Sequence, residues 1–259
     1  MGFVKTIWAL ISLSYLICTP QTASAFEPAK IAVIFAKTGI AAQDNVAMGQ
    51  AATMAMDEIN QQGGLLGSPV ELIFIDNKST SLGSRSAAME AVRLQVTGVI
   101  GASWSSHSLA MAPVLQKAKI PMITPVSTSP QVTEIGNYIF RVCFTDELQA
   151  KTMARFARED LNAGTAVVLQ NINEQYSITL GNFFTHWFIK NGGKEIKKGY
   201  YCTHWSPASQ SPVSLAFVGK FITIGKINSA FALSHDAIFL LTNAMMRAGS
   251  MDKKKFEMH

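Results

Sequence analysis

The feature that most constrains the fold of this chain is the alternation of short apolar runs with longer amphipathic stretches from residue 30 onward. Val70–Asp76 is a nearly continuous aliphatic run, which is typical of a strand that is covered on both faces. Residues 45–62 instead place Met48, Ala55 and Ile59 on one helical face and stop at a glycine pair. This alternation predicts βαβ units with a largely parallel sheet, which is an α/β fold.

The same reasoning assigns the rest of the chain to strands and helices of ordinary length. Each predicted strand is short and aliphatic or β-branched, and most are followed by a stretch with helical spacing of its apolar residues. Strands are predicted at 30–36, 70–76, 98–101, 120–124, 138–144 and 165–170, and helices at 45–62, 84–96, 106–117, 146–161, 175–190 and 230–248.

The first 25 residues have the pattern of a secretory signal peptide. Lys5 precedes an apolar run at 7–18, and a small-residue ending, Ala23-Ser24-Ala25, precedes Phe26. This run is shorter than the about twenty apolar residues that a transmembrane helix needs. We therefore expect export, cleavage after Ala25 and a periplasmic location.

The charge balance argues against a nucleic-acid partner. The chain has 22 Lys and Arg against 17 Asp and Glu, a formal charge of +5, and only 15% of its residues are charged. A nucleic-acid-binding face needs a basic stripe with interleaved aromatic residues. The sequence shows no such stripe, and its one basic run is at 253–255. The surface is expected to be simply solvated.

Cysteine and histidine usage predicts no metal site. Beyond the signal peptide only Cys143 and Cys202 remain, without the spacing of metal ligands, and the histidines are scattered. In an oxidising compartment the two cysteines can form one bridge or remain two thiols. Both alternatives stay open.

A catalytic function is also not indicated. Gly101-Ala102-Ser103-Trp104-Ser105 resembles the nucleophile elbow G-x-S-x-G, but its fifth residue is serine. No acid and histidine pair can be assigned, and no glycine-rich phosphate loop follows the first strand. We expect no enzyme activity and no cofactor.

Two loops are candidates for ligand binding, because ligands of open α/β sheets lie at the carboxyl ends of the strands. Ser105 lies after the third strand where a helix begins, so its hydroxyl and nearby amides could hold a carboxylate. Ser127 and Thr128 follow the fourth strand and could hold an ammonium group. The alternative is structural: Ser105 and Thr128 could cap a helix and a turn.

Several segments together resemble the type I periplasmic binding proteins of the branched-chain amino-acid transport family. The resemblance depends on their combination, since each is weak alone. They are the segments 30–35 (KIAVIF), 57–67 (DEINQQGGLLG), 99–106 (VIGASWSS), 120–130 (IPMITPVSTSP) and 140–141 (FR), and, near the end, 199–207, 235–237 and 247–250.

This resemblance implies two α/β lobes that close on a ligand. Residues 26–143 and 203–259 would form lobe one, and residues 144–202 a reduced lobe two. The text at 199–207 normally lies much further along such chains, so we expect an internal deletion near 196–199 and a truncated end. Cys143 and Cys202 would then both lie near the hinge, where they could pair.

The resemblance also assigns site residues. It gives ligand-binding roles to Ser105, Ser127 and Thr128, places Trp104 beside the ligand, and matches Tyr176 to a tyrosine that closes over the ligand from lobe two. Tyr176 could equally be a core or rim residue. Family members commonly add an acidic contact from the part that is short here, and a buried ammonium without a counter-charge is costly.

The implied function is capture of an amino acid, branched-chain or related, or of a related small carboxylate, for a membrane ABC permease. Two alternatives remain from the sequence. The chain could be a ligand-sensing binding module, or it could be a decayed, non-functional remnant of a binding protein.

Overall fold

The computed structural model describes residues 27–171, 174–194, 211–221 and 229–252. Within these ranges strands and helices alternate as far as β5. The strands are β1 (Ala29–Phe35), β2 (Val70–Asp76), β3 (Gly98–Gly101), β4 (Met122–Thr124) and β5 (Ile139–Arg141). The helices are α1 (Ala42–Gln61), α2 (Ser81–Arg93), α3 (Ser105–Ala118), α4 (Gln131–Glu134), α5 (Asp146–Glu159), α6 (Gln175–Lys190), α7 (Pro212–Phe221) and α8 (Ser229–Ala248).

The five strands form one parallel sheet in the order β2-β1-β3-β4-β5. Strand β1 is central and pairs over its whole length with β2, from Ala29 opposite Val70 to Phe35 opposite Asp76. The α/β fold with a parallel sheet is confirmed. All the carboxyl ends lie at the same edge, which brings the loops after β3 and β4 together.

Alternating side chains of β1 divide the core into two layers, because successive residues of a strand point to opposite faces. Ile31 and Val33 pack with residues of α1 and α8, whereas Ala32 and Ile34 pack with residues of α2 and α3. The sheet is therefore covered by helices on both faces. Its strands are apolar throughout for that reason.

Helix α8 is fixed to α1 by an ion-pair cluster as well as by apolar contacts. Glu58 accepts from His235 Nε2 at 3.0 Å and from Lys220 Nζ at 2.6 Å. Because of these partners the pKa of Glu58 is lowered, although burial acts to raise it. The cluster ties α7 and α8 to the layer that includes the sheet.

Helices α5 and α6 form a separate apolar cluster of their own. Its buried members include Ala150, Ala154, Phe184 and Phe188, with Trp187 partly buried beside them. The expectation that the aromatic face of α6 is core is met at Phe184 and Phe188.

The strand predicted at 165–170 is wrong, since this segment is not a strand in the structure. A strand needs a neighbour with which its backbone can pair, and the sheet ends at β5. The nearest backbone bond in the described part of the chain joins the Lys194 amide to the Gly164 carbonyl at 3.0 Å. Apolar spacing alone could not reveal this lack of pairing.

Smaller differences concern the ends of elements. Helix α2 begins at Ser81, three residues before the predicted start, because the Thr80 hydroxyl caps it by accepting from the Gly83 amide at 2.9 Å. Strand β5 is only three residues long, where 138–144 was expected. Several predictions fall outside the described residues: the signal peptide and its cleavage after Ala25, the region 196–199, and Cys202.

None of the helices in the described ranges is long and apolar enough to cross a membrane. The same ranges contain no group of three or more His, Cys, Asp or Glu side chains arranged to hold a metal ion.

Cys143 carries a free, buried thiol, so the bridge to Cys202 considered from the sequence is not formed. Burial raises the pKa of this thiol to about 12, and nearby Arg141 only partly opposes that effect. The thiolate is the reactive form of cysteine. The structure therefore makes Cys143 an inert side chain.

We expect Cys143 to resist thiol reagents while the protein is folded. At pH 8 a thiol with this pKa is ionised to only about one part in ten thousand, and burial also blocks access. The measurement is a titration with a chromogenic disulfide in buffer and in urea, comparing wild type with Cys143→Ala. The difference between the two proteins should appear only in urea. Rapid reaction of Cys143 in buffer would contradict the buried placement.

Candidate functional site

The loops after β3 and β4 are joined by a network of buried hydroxyl groups. The Ala102 carbonyl accepts from Thr124 Oγ1 at 2.6 Å and from Ser127 Oγ at 3.1 Å. Ser127 Oγ also lies 2.7 Å from Ser108 Oγ. Ser127 is fully buried, and its hydroxyl is used to hold the two loops together.

Ser105 is the first residue of α3 and links the start of that helix to the other loop. Its Oγ accepts from the Ser129 amide at 3.3 Å, and its side chain is buried. No side chain caps the helix at Trp104. A helix N-terminus presents amides without intrahelical partners, so this end of α3 favours a negatively charged group.

Trp104 and the residues after it connect the sheet to α6. The Trp104 ring is half-buried and stacks on His107 with centroids 5.2 Å apart. Burial lowers the pKa of His107, while the charge of Glu174 acts in the opposite direction. Ser106 Oγ donates to the carboxylate of Glu174 at 2.9 Å, directly before α6 begins. This hydrogen bond ties the α3 N-terminus to the α5 and α6 unit.

The start of α5 brings a carboxylate and an amide to the same place. The Asp146 amide donates to the Thr128 carbonyl at 2.9 Å, and Gln149 lies one turn further along. Gln149 Nε2 donates to the Tyr176 hydroxyl at 3.4 Å. Asp146, Gln149 and Tyr176 therefore form one connected group with the loop after β4.

Burial raises the pKa of Asp146 to about 6. The Thr128 hydroxyl and the charge of Arg141 lower it, but by less than burial raises it. Thr128 is near enough to act electrostatically, yet the two side chains lack the geometry of a hydrogen bond. We give the geometry more weight, and treat both groups as unpartnered.

Buried polar atoms without a hydrogen-bond partner are concentrated in this region. Within the described residues nine such side-chain atoms occur, and six belong to the two loops and the start of α5. Since most buried polar groups of a folded protein are hydrogen-bonded, a cluster of this kind requires an explanation. The six atoms are Ser103 Oγ, Thr128 Oγ1, Ser129 Oγ, both carboxylate oxygens of Asp146, and Gln149 Oε1.

Arg141, at the end of β5, holds the loop after β4 in shape. Its Nη1 donates to the carbonyls of Ser127 at 3.0 Å and Ser129 at 2.8 Å. Its Nη2 donates to the Pro130 carbonyl at 3.0 Å and to Thr133 Oγ1 at 2.5 Å. The guanidinium thus fixes the backbone on both sides of Thr128.

The structure brings all five sequence-predicted residues to one region, in different situations. Ser105 and Thr128 lie at the loops, with Trp104 half-buried beside them and Tyr176 reached through Gln149. The Ser127 hydroxyl is already engaged within the protein. Sequence reasoning missed Arg141, Asp146 and Gln149. The signal was weak: Arg141 stood within quoted family text, and Asp146 resembles an ordinary acidic residue at a helix start.

Together these groups can bind a small molecule that carries both a donor and an acceptor end. Hydroxyl groups and the amides of α3 can donate to a carboxylate. The carboxylate of Asp146 and the carbonyl of Gln149 can accept from a cation. The described residues contain no nucleophile paired with a base in this region.

The sequence comparisons identify relatives of the same kind. The family model described as "Periplasmic binding protein" matches residues 28–196. The "Leu/Ile/Val-binding protein BraC3" of Rhizobium johnstonii is 30% identical over 192 residues, which cover 72% of this chain and 52% of that protein. The "Leu/Ile/Val-binding protein" of Escherichia coli K12 is 27% identical over 151 residues, covering 58% of this chain and 41% of its own length. The chain spans about half the length of these curated relatives.

Solved structures share the fold. The leucine-binding protein LivK of Thermotoga maritima has a TM-score of 0.78 at 27% identity, with 88% of this chain and 85% of that chain covered. A solute-binding protein of Rhodopseudomonas palustris in complex with 3,4-dihydroxybenzoic acid has a TM-score of 0.79 at 16% identity, with 89% and 84% covered. The second likeness concerns the fold alone.

The family match covers well over half of the chain, and the structural neighbours have the type I architecture expected from the sequence. Proteins of this family bind solutes and are in general not enzymes, and their location is extracytoplasmic. The chain belongs to the periplasmic binding protein family, with the type I fold.

Proposed function

We propose that this chain is an exported, non-catalytic binding protein that captures a branched-chain or related amino acid for a membrane ABC permease. The observation that carries the proposal is the cluster of six unpartnered buried polar atoms at the loops after β3 and β4 and the start of α5. A free amino acid offers the ammonium and carboxylate that could satisfy these atoms. The printed functions of the relatives point to the same ligand class.

Each site residue has a role under this proposal. Ser105 and the first amides of α3 would hold the carboxylate, because that end of the helix favours negative charge. Thr128 would offer its free hydroxyl to the ligand. Ser127 would shape the loop, since its own hydroxyl is engaged with Ala102 and Ser108. Trp104 and Tyr176 would line the aliphatic side chain.

The two-lobe division is part of the proposal. Residues 26–143 with 203–259 would form lobe one, which agrees with the packing of α8 against the sheet layer. Residues 144–202 would form lobe two, which agrees with the separate apolar cluster of α5 and α6. The Ser106–Glu174 hydrogen bond would then close the cleft between the lobes.

The test is thermal unfolding of the exported chain with leucine, isoleucine, valine, alanine, glutamate and 4-hydroxybenzoate. A ligand at about 100 times its Kd stabilises the folded state by about 2.7 kcal/mol. For a chain of this size that corresponds to a rise in Tm of about 5–10 °C. We expect the branched-chain amino acids to give this shift. A shift with 4-hydroxybenzoate alone would contradict the ligand class, and no shift at all would favour the non-functional remnant.

A matched pair of variants ties binding to the site. Thr128→Ala should weaken leucine binding about tenfold, since it removes one hydrogen bond to a charged ligand group. Thr152→Ala, on the exposed face of α5, should leave leucine affinity unchanged. Leucine uptake by cells that lack the gene separates transport from sensing, because only a transport role predicts reduced uptake.

A further inference from the structure

Asp146 has an environment that its position at a helix start does not explain. It is fully buried, and neither carboxylate oxygen has a hydrogen-bond partner. Acidic residues in a first helical turn often act as caps, but here Thr145 fills that role by accepting from the Leu148 amide at 3.3 Å. The carboxylate is therefore not needed to end the helix.

The nearest cation does not neutralise Asp146 by direct contact. Arg141 acts on it electrostatically, but the Arg141 donors are directed to the carbonyls of 127, 129 and 130 and to Thr133. A buried charge without a bonded partner is costly to a folded protein. Such a group is retained at a cost when it serves a ligand.

Charge and location together indicate what that ligand must carry. Asp146 is linked through its amide to Thr128, whose hydroxyl is also unpartnered, and it shares the first turn of α5 with the acceptor Gln149 Oε1. A cationic amine provides three donors for these acceptors. A simple carboxylate placed here would be repelled by the charge of Asp146.

We propose that Asp146 supplies the counter-charge for the ligand's ammonium and restricts the site to ligands that carry a cationic amine. This inference rests on the proposed function. It assigns to a residue of this chain the acidic role that the resemblance would have placed in the shortened region. It also excludes benzoates and other amine-free carboxylates as ligands.

The charge of Asp146 makes leucine affinity depend on pH. Its pKa in the free protein is raised to about 6 by burial, so protonation below that pH removes the counter-charge. Leucine affinity should be constant above about pH 7 and fall by up to about tenfold for each pH unit below about 6. Arg141, Cys143, Glu134, His107 and Glu174 are the other titratable groups around the site, and His107 titrates in a similar range. Variants are therefore needed to assign the effect.

Stability of the ligand-free protein provides an independent readout. The pKa of Asp146 is about 6 when folded, and that of an aspartate in an unfolded chain is about 3.9. Between these values the folded state binds more protons, so stability conferred by this group falls as pH rises from about 4 to about 6. Asp146→Asn should remove that slope and raise the Tm of the ligand-free protein at pH 7.

The experiment compares wild type, Asp146→Asn and the control Glu147→Gln, which removes an exposed carboxylate from the same helical turn. Titrations use leucine and 4-methylpentanoate, its amine-free analogue, between pH 5 and pH 8. Asp146→Asn should weaken leucine binding about 10- to 100-fold at pH 7 and flatten the pH profile. Glu147→Gln should behave like wild type. Wild type should bind no 4-methylpentanoate, and Asp146→Asn should bind it better than wild type does.

The outcomes separate this inference from the proposed function. Equal leucine affinity in wild type and Asp146→Asn would overturn the inference and leave the proposed function standing. A lower Tm of ligand-free Asp146→Asn would also overturn the inference, because it would reveal a structural partner. Binding of 4-methylpentanoate but not leucine by wild type, or of neither compound, would overturn both.

Discussion

Arg141→Met is expected to lower the free energy of unfolding by about 3 kcal/mol and to abolish leucine binding, because it removes a charged donor from several buried acceptors. The guanidinium holds three backbone carbonyls and the Thr133 hydroxyl. Without it the loop that carries Thr128 loses its fixed shape. Asp146 also loses the nearby positive charge that partly offsets its burial.

Urea unfolding and leucine titration of the same samples measure this effect. Arg93→Met is the matched control, since Arg93 is exposed and pairs only with Glu90 on the surface of α2, and it should change neither quantity appreciably. Arg141→Lys keeps the charge but not the fork of donors, so it should recover only part of the stability. If Arg141→Met retained full leucine affinity, the loop would not depend on Arg141 for its shape.

Much of the fold could be predicted because its signals are local. The aliphatic run of β2 and the helical spacing of α6 gave bounds that match the structure at both ends. The end of α1 was marked by Gly63, which adopts a positive φ there. The segment 165–170 failed because a strand is defined by the backbone it pairs with, and apolar spacing carries no information about that partner.

The candidate site could be predicted only in part. Ser105 and Thr128 follow strands that are parallel and adjacent, so the topology alone brings them to one edge of the sheet. The engagement of Ser127 with Ala102 and Ser108 depends on contacts between separate loops, which no local pattern reveals. Asp146 was missed for a different reason, since an acid at a helix start already has a common structural explanation.

The second large effect is expected from Gly101→Ala at the end of β3. Gly101 has a φ of +140°, and a Cβ there would lie 2.3 Å from the backbone oxygen of Ile34 on the neighbouring strand. Neither backbone can move without breaking the pairing of the central strands. We expect a loss of about 4 kcal/mol or more, which is large for a single substitution. Urea unfolding measures it.

Gly98→Ala is the matched control, because it makes the same chemical change three residues earlier in the same strand. The added Cβ would lie 2.6 Å from Cδ2 of Leu241, the far end of a side chain that can rotate away. Its cost should be only about 1–2 kcal/mol, within the usual range for overpacking. Gly101 also precedes Ala102, whose carbonyl accepts from Thr124 and Ser127. Gly101→Ala should therefore abolish leucine binding in any protein that still folds, whereas Gly98→Ala should bind normally. Equal costs for the two variants would mean that crowding anywhere in β3, and not the backbone contact at the site, limits this strand.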